Sequence, residues 1–292
     1  MTDDQDRPIV VAAGPVDVLH RLALAVRPLD ARTRGPAGPG LGVGLETAPV
    51  PGRRMPRHRV VRPLEHHGAT GFVVRHSTSG ALPATVAVRV DDPARRWIPR
   101  KFSVPLWPRA ELALSDAVPP GAPHVPAASR LLLPWLLPGP AYSVAPGTTG
   151  MRLRVTRAGD PVRWPRITAY GTGGVLVGWG HGDEHGQVLL LLDTVVPASR
   201  PGTLVPVALR THAPDPATAS PPDPLDPPAD LGVEAVARSH SPPQDADLDN
   251  PVLRGTDLPP DYETGATDTV REFTVGQVVH TDDLPHTPPP VP

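Results

Sequence analysis

The sequence predicts an all-β protein made of two tandem antiparallel β-sandwiches of the prealbumin or immunoglobulin-like kind, followed by a proline-rich, partly disordered C-terminal arm. Three observations lead there. Proline and glycine fill about a quarter of the chain, 44 and 27 of 292 residues, and neither suits the interior of long helices or of a doubly wound parallel sheet. Short apolar runs with two-residue alternation recur between glycine, proline and aspartate punctuation, the spacing expected of sandwiches. The charge is also split: residues 1–212 carry 25 basic and 15 acidic side chains, whereas residues 213–292 carry 3 basic and 15 acidic.

The first sandwich is assigned to residues 8–117. Its clearest strand is Ala84 to Val90, where Val86, Val88 and Val90 point one way and Thr85, Ala87 and Arg89 the other. Leu22 to Val26, Leu41 to Leu45, Gly71 to Val74 and Phe102 to Leu106 read as its companions. Residues 118–144 read as a proline-rich connector whose apolar piece, Leu131 to Leu137, docks on a domain. The second sandwich, residues 145–212, holds strands at Met151 to Val155, Ile167 to Tyr170, Val175 to Trp179 and Val188 to Leu192. Residues 213–292 form the acidic arm. It opens with a stiff extended linker, and its removal is expected to leave both sandwiches folded. Leu231 to Val236 and Arg271 to Val279 recover strand character and could cover a sheet edge. A basic body with an acidic tail can pair within one molecule, but a solvated tail is the preferred reading.

Composition excludes several classes. Cysteine is absent, so disulfides, thiolate metal sites and cysteine nucleophiles are impossible. Hydrophobic residues are 39% and aromatics 4%, which suits a chain that folds in part. The start, MTDDQD, is acidic where an export signal would be basic, and Leu131 to Leu137 is far short of the ~20 residues of a spanning helix. No membrane span and a cytoplasmic location are therefore expected. Lys101 is the sole lysine, and an arginine-, alanine- and proline-rich usage looks like that of a GC-rich, for example actinobacterial, genome.

Candidate chemistry is sparse. Gly180-His181-Gly182-Asp183-Glu184-His185-Gly186 places two imidazoles and two carboxylates close together. Zinc needs three or four converging ligands, and the glycines favour a turn over the helix that would align His181 with His185. Asp245, Asp247 and Asp249 start like a calcium loop but lack its glycine and final glutamate. His66 and His67 are adjacent, so on a strand they face opposite ways. Gly38 to Gly44 resembles a dinucleotide loop only in glycine count. Arg53, Arg54, Arg57, His58, Arg59 and Arg62 form a basic run better suited to an acidic protein or to the tail than to nucleic acid. Pro259-Pro260-Asp261-Tyr262 matches a WW-ligand pattern by chance in a proline-rich stretch. No metal, cofactor or catalytic residue is assigned, and no enzyme is expected.

Met151-Arg152-Leu153-Arg154-Val155-Thr156-Arg157-Ala158-Gly159-Asp160-Pro161-Val162, then Ile167-Thr168-Ala169, then Gly182 to Leu190, resembles the carboxypeptidase regulatory-like, or transthyretin-like, β-sandwich family. There a strand passes through a Gly-x-Pro-Val turn, and a later Asp/Gly turn feeds an alternating strand; Gly159, Pro161 and Gly182 to Gly186 supply both turns. A weaker echo at Leu22 to Val26, Asp30 to Ala37 and Gly68 to Val74 suggests an internal duplication. Val90 to Leu106 looks like accessory proteins of phage-tail-like contractile injection systems. These resemblances imply a non-catalytic sandwich protein that binds other proteins in a large assembly, such as sheath, tube, cap or baseplate subunits. The alternative is a carbohydrate- or envelope-binding module, which Trp97, Trp107, Trp135, Trp164 and Trp179 would serve if several were exposed together.

Overall fold

The computed structural model describes residues 21–47, 60–68, 71–76, 82–117, 125, 127–193, 200–237 and 250–290. Strands dominate, because alternating β-branched residues can bury one face while the punctuating glycines and prolines turn the chain. The N-terminal half contributes β1 (Leu22–Val26), β2 (Leu29–Asp30), β3 (Gly42–Thr47), β4 (Val60–Pro63), β5 (Glu65–His67), β6 (Gly71–Arg75), β7 (Thr85–Asp91) and β8 (Arg100–Pro105). A helix, α1 (Arg109–Ala117), and the short strands β9 (Leu131–Leu132) and β10 (Trp135–Leu136) follow. The second half contributes β11 (Gly150–Arg157), β12 (Asp160–Pro161), β13 (Arg166–Tyr170), β14 (Leu176–His181), β15 (Gln187–Leu191) and β16 (Leu204–Pro214). Beyond residue 214 come β17 (Val233–Ala235), α2 (Pro251–Arg254), β18 (Tyr262–Thr264), β19 (Thr269–Thr274), β20 (Val278–His280) and β21 (Leu284–Pro285).

The first sandwich stacks β5-β6-β1-β9 against β17-β8-β7-β3-β4. Its core is the inward row of β7, Val86, Val88 and Val90, packed with Leu24, Val26, Phe102 and Val104. The apolar piece expected to dock does so as two parallel edge strands: Leu131 and Leu132 pair with Ala25 and Val26, and Trp135 and Leu136 pair with Leu29 and Asp30. The glycine run 38–44 leads into β3. A Cβ at Gly44 would lie 2.5 Å from the Val61 side chain, so glycine there lets two strands approach closely.

The second sandwich stacks β12-β11-β15 against β14-β13-β16, with its core at Met151, Leu153, Val155, Ile167, Ala169, Val188, Leu190, Val207 and Leu209. The β11–β12 hairpin turns on Ala158 and Gly159, both left-handed at φ 51° and 92°, the two-residue arrangement that matches strand twist. The turn at 182–186 differs from the simple hairpin expected of it. It carries the chain from β14 in one sheet to β15 in the other, with a β-bridge between Gly182 and Val188 and the Asp183 and Gly186 amides donating to the carbonyls of Gln187 and Asp183 respectively.

Residues beyond 213 do not behave as a separable arm. β17 runs parallel along β8, β18 and β19 pair with β16, and β20 and β21 run parallel along the free edge of β11. Phe273 and Leu284 lie fully buried in the second core. The solvated-tail reading is corrected likewise: Asp226, Asp230, Glu234, Glu263, Asp268 and Asp283 each pair with an arginine of the body. The physical reason is that edge strands present unpaired backbone groups; short late strands cover them, and carboxylates on those strands and on the connections between them meet the body's arginines. Phe273→Ala should therefore cost about 3–5 kcal/mol in urea unfolding, and removal of residues 213–292 should abolish the cooperative transition of the second sandwich.

Candidate functional site

The two sandwiches meet at a buried polar junction built from residues remote in sequence. Arg100 opens β8 directly opposite Val90, and its guanidinium leaves the core-side face toward the second sandwich while stacking 4.7 Å from the Phe102 ring. It is 1% exposed. All five of its N–H donors are used: Nε and Nη2 on Glu234 at 2.9 and 2.5 Å, Nη1 on the carbonyls of Trp135 and Leu253 at 2.6 and 2.7 Å, and Nη2 also on the carbonyl of Val252. Glu234, from β17, also holds Arg166 of β13 at 3.0 Å. Burial pushes the Glu234 carboxyl up, yet the charges and hydrogen bonds of Arg100 and Arg166 outweigh it and leave the group below its ordinary range.

The helix α2 is only one turn long, begun by the Asn250 side chain accepting from the amides of Val252 and Leu253 and ended at left-handed Gly255. A helix end leaves carbonyls without intrahelical donors, and here both sandwiches supply them. Arg100 takes Val252 and Leu253, the Trp179 indole donates to Arg254 at 3.2 Å, and His181 Nε2 donates to Gly255 at 2.8 Å. The Arg254 guanidinium sits between the Trp135 and Trp179 rings, 5.2 and 5.3 Å from each. A Cβ at Gly255 would come within 2.9 Å of Leu137 and 3.0 Å of His181, so this glycine answers both to its φ and to the close approach.

A second network lies on the outer face of the first sandwich. Arg89 and Lys101 are directly opposite on β7 and β8, an unfavourable like-charge pair that is resolved by Glu46, 3.3 Å from Arg89 and 3.6 Å from Lys101, and by Asp226, 2.9 Å from Arg89. The segment carrying Asp226 continues to Asp230. There Arg163 and the Trp164 indole, both from the second sandwich, bind the Asp230 carboxylate at 2.5 and 2.6 Å. This proline-rich strap thus touches both sandwiches.

The residues singled out from sequence separate here. His181 is buried, and desolvation, reinforced by Arg166 and Arg100, drives it well below its ordinary pKa. His185 has a side chain 61% exposed beside Glu184. Asp183 accepts the amides of His185 and Gln187, both at 2.9 Å, and receives Arg95 of the first sandwich at 2.6 Å. No group of three potential metal ligands converges among the described residues. His66 and His67 are exposed on β5, and Arg62 is exposed on β4. Asp245, Asp247, Asp249, Arg53, Arg54, Arg57, His58 and Arg59 lie outside the described residues. Tyr262 of the WW-like pattern donates to the Trp164 carbonyl at 2.7 Å. Trp97, Trp107, Trp135 and Trp164 are buried and Trp179 is half-buried, so they do not form the exposed platform that glycan binding would need. Arg100, Arg166 and Glu234 were not singled out. The one available signal was a charged pair, Arg100-Lys101, at the head of an apolar strand.

No family model, curated protein or solved structure matches the chain.

Glu234→Ala leaves two buried guanidinium groups without their shared anion and should cost about 3–5 kcal/mol, whereas Arg95→Ala, at a half-exposed pair, should cost about 1 kcal/mol or less. Acid should destabilise the junction at His181 and the second sandwich at His212, which bonds Thr168 and Thr264, in a defined order. His181 and His212 are held below the ordinary 6.5, His212 at about 4, in both cases chiefly by burial. The unfolded chain thus binds more protons, and the stability present above about pH 6.5 falls as pH drops. For His212 alone the loss by pH 4 is roughly 3 kcal/mol. Glu234 adds its own loss below about 4.5. Thermal melts across pH 7 to 4 check this, with His212→Gln expected to flatten the upper part of the slope.

Proposed function

We propose that the chain is a non-catalytic structural or adaptor protein that binds other proteins, and that it serves in a phage-tail-like contractile particle in the cytoplasm. The observation that carries the first part is the junction itself. Two sandwiches are joined through buried charges, a shared strap and one late edge strand, β17, added to the first sandwich, so that a partner held by one unit is placed at a defined position relative to the other. Burial of Arg100, Arg166 and Glu234 in that junction opposes a hinge, because opening it would leave paired charges without their partners.

The particle reading rests on the resemblance of Val90 to Leu106. That block runs from the end of β7 through the Asp92 turn into β8. It supplies Asp92, which accepts amides of Ala94 and Arg96, together with Arg95, Trp97 and Arg100. The same residues that carry the resemblance therefore carry the junction, which is what a block defining an adaptor's geometry would do.

Sedimentation of a native lysate followed by mass spectrometry tests the proposal. The chain should travel with a megadalton particle together with sheath and tube proteins. Recovery solely as a small free species overturns the particle assignment.

A further inference from the structure

Below the buried junction a cleft of about 200 Å³ opens between the sandwiches. Its walls are apolar: Pro93, Trp97, Ile98 and Pro99 from the first sandwich, Trp164 from the second, and Pro227 and Pro228 from the strap. Its rim is acidic, with Asp91, Asp92, Asp183 and Glu184 against one lining cation, Arg95. We propose that this cleft binds the basic side chain, arginine or lysine, of a protein partner, with the aliphatic stem between the tryptophan and proline walls and the charged end among the rim carboxylates.

Three observations converge on it. First, local turns hold the backbone at the cleft, with Arg95 N–H donating to the Asp92 carbonyl at 2.8 Å and Trp164 N–H to the Asp183 carbonyl at 3.0 Å, so both side chains are fixed at its lining. Among the described residues four non-glycine positions have left-handed φ, and two of them, Arg95 at 57° and Trp164 at 53°, line this cleft from opposite sides. For a bulky residue that conformation is an outlier costing on the order of 1–3 kcal/mol, and such outliers cluster at ligand clamps. Second, Trp97 is buried, and its indole Nε1 has no acceptor among the described residues. The same ring already carries the Arg96 guanidinium 4.6 Å from its centroid, the stacking that a partner's cationic side chain would make. Third, the rim is under-neutralised. Asp92 is engaged by Arg96 and Asp183 by Arg95. Glu184 has Arg95 no nearer than 3.5 Å, and Asp91 has Arg89 no nearer than 4.0 Å. Burial pushes the Asp91 carboxyl up, Asp226 and Asp92 adding to this against the pull of Arg89, so a further cation is favoured there.

Arg95 shows what the site accepts. Its side chain is 46% exposed and crosses from one sandwich to the acidic rim of the other, 2.6 Å from Asp183. It acts as a resident guanidinium that a partner's side chain joins or displaces. A planar fork suits carboxylates and stacks on aromatic faces, which favours arginine over lysine. The extended, proline-lined surround suits a side chain presented on an extended segment.

The inference rests on the protein-binding reading above, and the test separates the two. N-acetyl-arginine amide is titrated into the ¹⁵N-labelled full chain while the indole N–H resonances of Trp97 and Trp164 are followed, with N-acetyl-citrulline amide as the neutral control. The expected result is a saturable shift with the arginine probe alone, weakened at least fivefold by Asp91→Asn or Glu184→Gln and strengthened by Arg95→Ala, in variants whose remaining resonances match the parent. No saturable shift, an equal shift with citrulline, or indifference to all three variants overturns the site. Probe binding by a chain that does not co-sediment keeps the cleft and removes the particle; co-sedimentation without probe binding removes the cleft alone.

Discussion

The arrangement of the whole molecule depends on satisfying one buried guanidinium. Arg100 needs five acceptors where no water reaches, and they come from three places: Glu234 on β17, Trp135 on β10, and the carbonyl end of α2. Removing any one of these strands donors at a cost that a small protein's margin of about 5–15 kcal/mol cannot absorb many times over. A hydrophobic replacement of the whole network could be as stable, so the significance of the charges lies in selection. Only one docking of the sandwiches, strap and helix meets every donor at once. That requirement explains why α2 can be a single turn: its stability comes from the donors it receives, since an isolated helix of that length would not persist.

The same constraint orders the path of the chain. Glu234 reaches Arg100 because β17 runs parallel to β8, pairing residues more than a hundred positions apart in sequence. It reaches Arg166 because β13 begins at the same place. From there the chain returns to the second sandwich, where β18 to β21 close edges of both of its sheets. Such non-local pairing must wait for loop closure, so the N-terminal elements of each sandwich form a template that the last strands complete. The core positions Phe273 and Leu284, supplied last, are the apolar counterpart of Glu234, supplied last to the polar junction.

Strand identity was legible wherever one face is buried and the other is not. Val86, Val88 and Val90 alternate with Thr85, Ala87 and Arg89, and that pattern alone places β7. β16 carried the same signal, with Val205, Val207 and Leu209 facing inward, but Pro206 lies among them and Pro214 ends the strand, and prolines demote a run to edge or loop. Helix α1 went unread because its buried positions, Leu112 and Ser115, are few and one is polar. The junction was illegible for a different reason. Arg100 and Lys101 are, by ordinary composition rules, exposed residues, and what buries them is a pair of glutamates and a strap far away in sequence. Local pattern carries no information about such partners. At residues 180–186 the glycines did signal a turn in place of a helix, but not that this turn passes between two sheets and sends His181 into the interface and His185 to solvent.

The unequal distribution of charge along the sequence follows from these contacts. The body carries a net +10 and the remainder a net −12, and the pairs between them range from the exposed Arg154–Asp283 and Arg210–Asp268 to the fully buried Arg100–Glu234. The exposed pairs contribute little energy each, so the segregation cannot be explained as a sum of salt bridges. It is better explained by what it prevents. A body with that excess of arginine repels itself and attracts polyanions indiscriminately. Supplying the neutralising carboxylates on the strands that complete the sheets, Glu234 and Glu263, and on the segments joining them, Asp226, Asp230, Asp268 and Asp283, means that the basic surface is covered by the same stretch of chain that finishes the core. Glu234 can meet Arg100 only when β17 lies in register along β8, so charge and backbone pairing favour the same final arrangement.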